Sequence, residues 1–222
     1  MKLRFDLSGS QVHSAREYDI ATNTAIEAGQ VVKLSAGLVV AAAAAETGAI
    51  LGVAAEDHSG VSSDMNPRSN GAKILVYDCP TAVFSCPAPV ITVTTGTSTT
   101  LADTGIATFA DDDFNGGYVK LVGKASGSTN PDPIGKVRRI TDYTGTGKVF
   151  TLDETLSAAI TAGDTYELYP PIGFAKGNLD SGIVKLVVTA TAALPIKVIG
   201  KYEDQCELLF MAALHELGNK KA

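Results

Sequence analysis

The densest chemical cluster in the chain is a run of three aspartates, Asp111, Asp112 and Asp113. A hard-cation site needs several oxygens converging at about 2.3–2.6 Å, usually spaced along a loop and completed by a distal carboxylate. Successive side chains of an extended run point apart, so the triplet reads as a solvated turn. A Ca²⁺ site there would require ligands from a second loop. His13, His58 and His215 lie far apart, and none has the H-x-x-x-H or H-E-x-x-H spacing of a zinc centre. Cys79 and Cys86 are separated by six residues, outside zinc-knuckle spacing. With Cys206 they form an odd set, which suits a reducing compartment and reads as three small apolar side chains. No G-x-S-x-G elbow is present. Gly123-Lys124-Ala125-Ser126-Gly127 lacks the leading glycine of a phosphate loop and follows no strand–helix pattern. Arg138 and Arg139 fall on a predicted strand with one guanidinium on each face, and Asp142 and Glu167 are the expected ion-pair partners. The chain thus presents no catalytic residues, no metal ligands and no cofactor site to argue from, and it reads as a non-enzyme.

The elements that would position any site are short and glycine-broken. Residues 26–57 hold three small apolar runs, with Gly at 29, 37, 48 and 52. Ser35-Ala36-Gly37 reads as a tight hairpin connection between the first two. Strands this short need a barrel or sandwich around them, because a lone hairpin is marginal in water. Further strands are predicted at 72–77, 81–84, 106–109, 118–122, 135–141, 148–152, 165–168, 182–190 and 195–200. Residues 154–162, ETLSAAITA, carry one or two turns of helical character. Residues 206–217, CELLFMAALHEL, fit a strand or a helix.

Composition narrows the class. Of 222 residues 45% are hydrophobic, enough for a core, but aromatics are 6% with no Trp, so that core is expected to rest on Val, Ile, Leu and Ala. The net charge of -6 argues against a nucleic acid partner, which would call for a basic face. No run of about 18 apolar residues exists to span a membrane, and the N-terminus lacks the apolar stretch of a secretory signal. The expectation is an all-β chain: a small β-barrel or sandwich core with an inserted second β-subdomain and few or no long helices. Its parts are an N-terminal arm (1–25), a core domain (26–89 and 172–222) and a Thr- and Gly-rich insertion (90–171). The arm buries little on its own and is expected to become ordered on a partner.

Within this frame, Gly29-Gln30-Val31-Val32-Lys33-Leu34, Ile50-Leu51-Gly52-Val53-Ala54 and Lys73-Ile74-Leu75-Val76 resemble the barrel-forming words of tailed-bacteriophage capsid decoration (head cement) proteins, over residues 26–84. Asp112-Asp113-Phe114-Asn115-Gly116-Gly117-Tyr118-Val119, Arg138-Arg139-Ile140-Thr141-Asp142-Tyr143, Phe150-Thr151-Leu152-Asp153-Glu154 and Gly163-Asp164-Thr165-Tyr166-Glu167-Leu168 look like a β-rich segment recurrent in phage virion proteins, with Phe114 as its anchor. The resemblance implies a structural protein made in the host bacterial cytoplasm and placed on the capsid surface. There it would bridge major capsid protein subunits and self-associate, as a trimer or other homo-oligomer. Leu3, Phe5, Leu7, Tyr18, Ile20, Leu208, Phe210 and Met211 are the expected partner-binding residues. Two other classes are weighed against this: a tail or adsorption component binding host glycans, which the scarcity of aromatic platforms disfavours, and a hydrolase on a β-scaffold.

Overall fold

The computed structural model describes residues 2–6, 15–21, 23–59, 73–179, 186–194, 196–202 and 207–212; for 2–6, 178–179, 186–187, 201–202 and 207–212 it describes the backbone path alone. Among the described residues all regular structure is β and there is no helix, so none is long and apolar enough to cross a membrane. Residues 154–162, where a helical turn was expected, run without regular structure. The N–H groups of Leu156 and Ile160 donate instead to the carbonyls of Ser98 and Thr97.

The first sheet has five strands: β2 (Arg16–Asp19), β3 (Val31–Ser35), β4 (Leu38–Ala41), β5 (Gly52–Ala54) and β6 (Lys73–Tyr77), in the order β2-β6-β5-β3-β4. A two-residue connection joins β3 to β4, and both of its residues, Ala36 and Gly37, have positive φ (50° and 83°). This is the primed turn whose twist matches a hairpin. Past β2, Ile20 forms a parallel bridge to Val39, and the Ala21 N–H donates to the Val39 carbonyl at 3.1 Å. The two outer strands therefore meet and the sheet curls shut. Alternation along β3 and β5 sends side chains to two cores. Val32, Ala54, Ile74 and Val76 join Ile20, Ile26, Val39 and Leu51 inside the curl, while Val31 and Val53 face a second, larger core.

That larger core belongs mainly to a seven-stranded sheet ordered β8-β14-β11-β12-β13-β10-β9. Its strands are β8 (Val90–Thr92), β9 (Thr95–Gly96), β10 (Thr100–Ala102), β11 (Tyr118–Gly123), β12 (Val137–Thr144), β13 (Val149–Leu152) and β14 (Thr165–Tyr169). The two outer strands, β8 and β9, are parts of one bent segment. Val93 still donates to Asp164 on the β14 side, whereas Thr94 donates to Ala102 on the β10 side. This sheet curls as well, with its corner at Val93 and Thr94.

A four-stranded sheet, β1-β7-β18-β17, combines β1 (Lys2–Asp6), β7 (Ala82–Pro87), β17 (Ile196–Tyr202) and β18 (Glu207–Ala212). The strand before residues 90–171 thus pairs directly with one after them. β15 (Asn178–Leu179) and β16 (Leu186–Val187) form a separate pair.

Three expectations need correction. Residues 106–109 are not a strand, although Ile106 and Phe109 are buried; their apolar character serves an irregular segment pressed into the core. The second core does not rest on aliphatic side chains alone. Phe114, fully buried, has ring centroids of Phe109, Tyr143, Phe150 and Phe174 at 5.0, 4.8, 5.3 and 5.1 Å. Edge-to-face and tilted arrangements of this kind suit the ring quadrupoles. Finally, residues 16–20, expected to become ordered on a partner, are strand and bridge residues of the chain's own five-stranded sheet, whereas residues 2–6 form the strand that the alternation of Leu3 and Phe5 with polar neighbours predicts. They gain their backbone hydrogen bonds without a partner.

Candidate interaction surfaces

Of the expected partner-binding residues, Leu7 lies outside the described residues. Leu3 and Phe5 lie on β1, and Leu208, Phe210 and Met211 on β18; both strands flank β7, and Leu3 and Phe210 stand opposite Phe84 from its two sides. Tyr18 is half-buried on β2 and its hydroxyl donates to the Asp78 carboxylate. Burial, reinforced by that bond, raises its pKa to about 12. Ile20, 5% exposed, is packed inside the curl of the five-stranded sheet and is not offered to another molecule. The structure thus gathers five of the eight on one sheet and places Tyr18 and Ile20 on another.

The acidic triplet divides its carboxylates among unrelated tasks. Asp111 accepts from the Gly145 N–H at 2.8 Å, Asp112 from the Asn115 side-chain amide at 2.6 Å, and Asp113 from Lys176 at 2.6 and 2.8 Å. The three oxygen sets hold a turn in place and do not converge. Among the described residues no three His, Cys, Asp or Glu side chains gather as a metal site would need. His58 is buried with Nδ1 3.1 Å from the Thr24 carbonyl oxygen, while His13 and His215 lie outside the described residues.

Arg138 has other partners than those expected. Arg138, 8% exposed, grips Asp132 with two hydrogen bonds at 2.9 and 2.6 Å and also contacts the Glu154 carboxylate. Arg139 is exposed, and Glu167 instead accepts from Tyr169 at 2.9 Å and lies 3.9 Å from Lys120. Spacing along β12 gave the faces but not the carboxylates, which come from loops. Beside this pair, Asp164 is fully buried and accepts from the Ala125 N–H, Ser128 hydroxyl and Asn130 amide at 2.9, 3.1 and 2.9 Å. Burial works to raise its pKa, yet these donors hold the carboxyl below its ordinary range. The Asn130 amide also donates to the Tyr166 hydroxyl at 2.7 Å. Here Gly123–Gly127, the glycine-containing word that evoked a phosphate loop, has its Ala125 N–H bound by a resident carboxylate.

Concave surfaces among the described residues include two of note. One, about 350 Å³, has Tyr118, Pro170, Pro171, Ile172 and Val198 in its walls. Ile172 is 77% exposed at its lip, on a turn fastened to β17 by Gly173 N–H to Val198 carbonyl (2.8 Å) and Val198 N–H to Phe174 carbonyl (2.9 Å). The other, about 530 Å³, opens beside β8, between Val90 and Thr92 on one side and Asp103 and Ile106 on the other. Sequence reasoning passed over both. Pro170-Pro171 was the available signal for the first, and the second depends on which distant strands meet at a corner. Comparison with family models, curated proteins and solved structures finds no match to this chain.

Proposed function

We propose that this protein is a structural virion component that docks on the outside of an assembled tailed-phage capsid and stabilises it by bridging major capsid protein subunits. The reading is supported by the sequence words of residues 26–84. The observation that carries it is Ile172, a large aliphatic side chain held in solvent above an apolar groove on a hydrogen-bonded turn. A preordered apolar knob loses little conformational freedom on docking, so more of its burial counts toward affinity. A protein that binds only the assembled shell shifts assembly toward that state by mass action.

The test is co-sedimentation of the purified chain with expanded shells lacking it, together with the temperature at which those shells disrupt. The native protein is expected to sediment with the shells and raise that temperature; Ile172→Glu is expected to bind at least about tenfold more weakly, since it places a charge in an apolar contact. A native chain that stays in the supernatant overturns the reading. Deleting residues 1–24 is a poor substitute, because it removes β1, β2 and the buried Ile20 and so attacks the fold itself.

A further inference from the structure

The cleft beside β8 lies where the seven-stranded sheet fails to zip closed. β8 pairs with β14 with Ile91 opposite Tyr166; the Leu168 N–H donates to the Pro89 carbonyl at 2.8 Å, and the Val93 N–H to Asp164 at 2.9 Å. Pro89, Ile91 and Val93 therefore face β14. By antiparallel alternation Val90 and Thr92 direct their N–H and C=O groups to the opposite side. From Thr94 onward that side is occupied, because Thr94 donates to Ala102 of β10 at 2.8 Å. Before Thr94 the two walls splay apart. The Thr92 N–H is met at 3.0 Å by the side chain of Asp103, which takes the place of a strand carbonyl, and its other oxygen accepts the Gly105 N–H at 2.7 Å. By that alternation the Val90 amide and the Val90 and Thr92 carbonyls point toward a cleft whose far wall includes Ile106 and Val188, and no strand of the described residues pairs with them there.

A donor and acceptors repeating along an edge at every second residue match another extended backbone. The surroundings select its side chains: the walls are aliphatic, the charged residue lining the cleft is Asp103, and the protein as a whole carries -6. We propose that this open seam accepts a strand: an extended segment of another polypeptide, apolar at alternate positions and bearing a lysine or arginine that meets Asp103, adds to the free edge of β8. The proposal stands independently of the capsid reading.

The full-length protein is titrated into a fluorescein-labelled peptide of sequence TVKVKVT, followed by fluorescence anisotropy and by amide exchange at Val90. Three further peptides are compared: one with Glu in place of both Lys, and two N-methylated on one or the other alternate set of amides. In the free protein the Val90 amide is expected to exchange fast, and the cationic peptide to slow it. The acidic peptide should bind on the order of tenfold more weakly, the factor expected of one carboxylate at close range. Methylating one alternate set should abolish binding while the other set is tolerated. A Val90 amide already protected in the free chain overturns the proposal, as does the absence of binding. Equal loss from both methylation patterns overturns strand addition, and equal affinity of the acidic peptide overturns the assigned charge. The chemistry is varied on the peptide, so no outcome depends on a variant that fails to fold.

Discussion

The two curled sheets solve one problem with different materials. The five-stranded one, among the described residues, has a fully buried core of aliphatic side chains such as Val32, Leu51 and Ile74, with Tyr18 at its margin, and closes through a parallel bridge. The seven-stranded one encloses a packed aromatic group around Phe114 and is braced at its loops by buried charge, Arg138 with Asp132 and Asp164 with its donors. Small side chains allow backbones to approach closely. Both sheets use such approaches, since a methyl group at Gly52 would strike the Tyr77 carbonyl and one at Gly145 the Phe109 carbonyl; what separates the two is the aromatic bulk around Phe114. An overall aromatic content of 6% conceals this, because the rings are concentrated in one place.

The largest effect should come from the aromatic centre. Phe114→Ala is expected to cost about 3–5 kcal/mol, and to speed amide exchange in β11 and β13 well before β3 and β5; equal acceleration in both sheets would mean that they share one core. Next comes the brace. Arg138→Met leaves Asp132 buried without its partner and should destabilise by about 3–5 kcal/mol, measured by denaturant unfolding, with Asp132→Asn in the same background recovering part of the loss.

Acid sharpens the contrast further. The Asp164 carboxyl is held below its ordinary value of 3.8, so its contribution is fully present above that value and is lost as pH falls through the lower, folded-state pKa. Melting below pH 3.8 is therefore expected to fall steeply, and Asp164→Asn should flatten that dependence. Glu46, likewise held low against burial by Lys33 at 2.5 Å and by the N–H groups of Gly48 and Ala43, adds a parallel loss from the five-stranded side. The smallest effect is expected from Tyr18→Phe, about 1 kcal/mol for one hydrogen bond to a carboxylate at a half-exposed site. Because burial raises the Tyr18 pKa to about 12, native stability should decline between pH 10 and 12, and less so in the variant.

What the chain discloses in advance follows from how far each property depends on neighbours in sequence. Strands such as β11, β13 and β14 are visible because Val119, Leu121, Phe150, Leu152, Tyr166 and Leu168 recur at every second position. The turn at Ala36 and Gly37 is visible for the same local reason. Residues 106–109 mislead because apolar content reports burial and not extension. The partners of Arg138 and Asp164 were hidden because loops from elsewhere supply them. The open seam at β8 was beyond reach, since it exists only once Thr94 has crossed to β10.

The order of strands around β7 bears on synthesis. Its neighbours are β1, which precedes it in sequence, and β18, which follows it by more than a hundred residues. A chain emerging from the ribosome can complete the pairings of residues 90–169 as soon as they are translated, whereas β7, though it can pair with β1 at once, waits more than a hundred residues for its other neighbour, Glu207–Ala212. Long sequence separations of this kind slow folding. The four-stranded sheet thus acts as a seal applied after the module it brackets, and a product truncated before Glu207 would carry that finished module beside a strand still open on one edge.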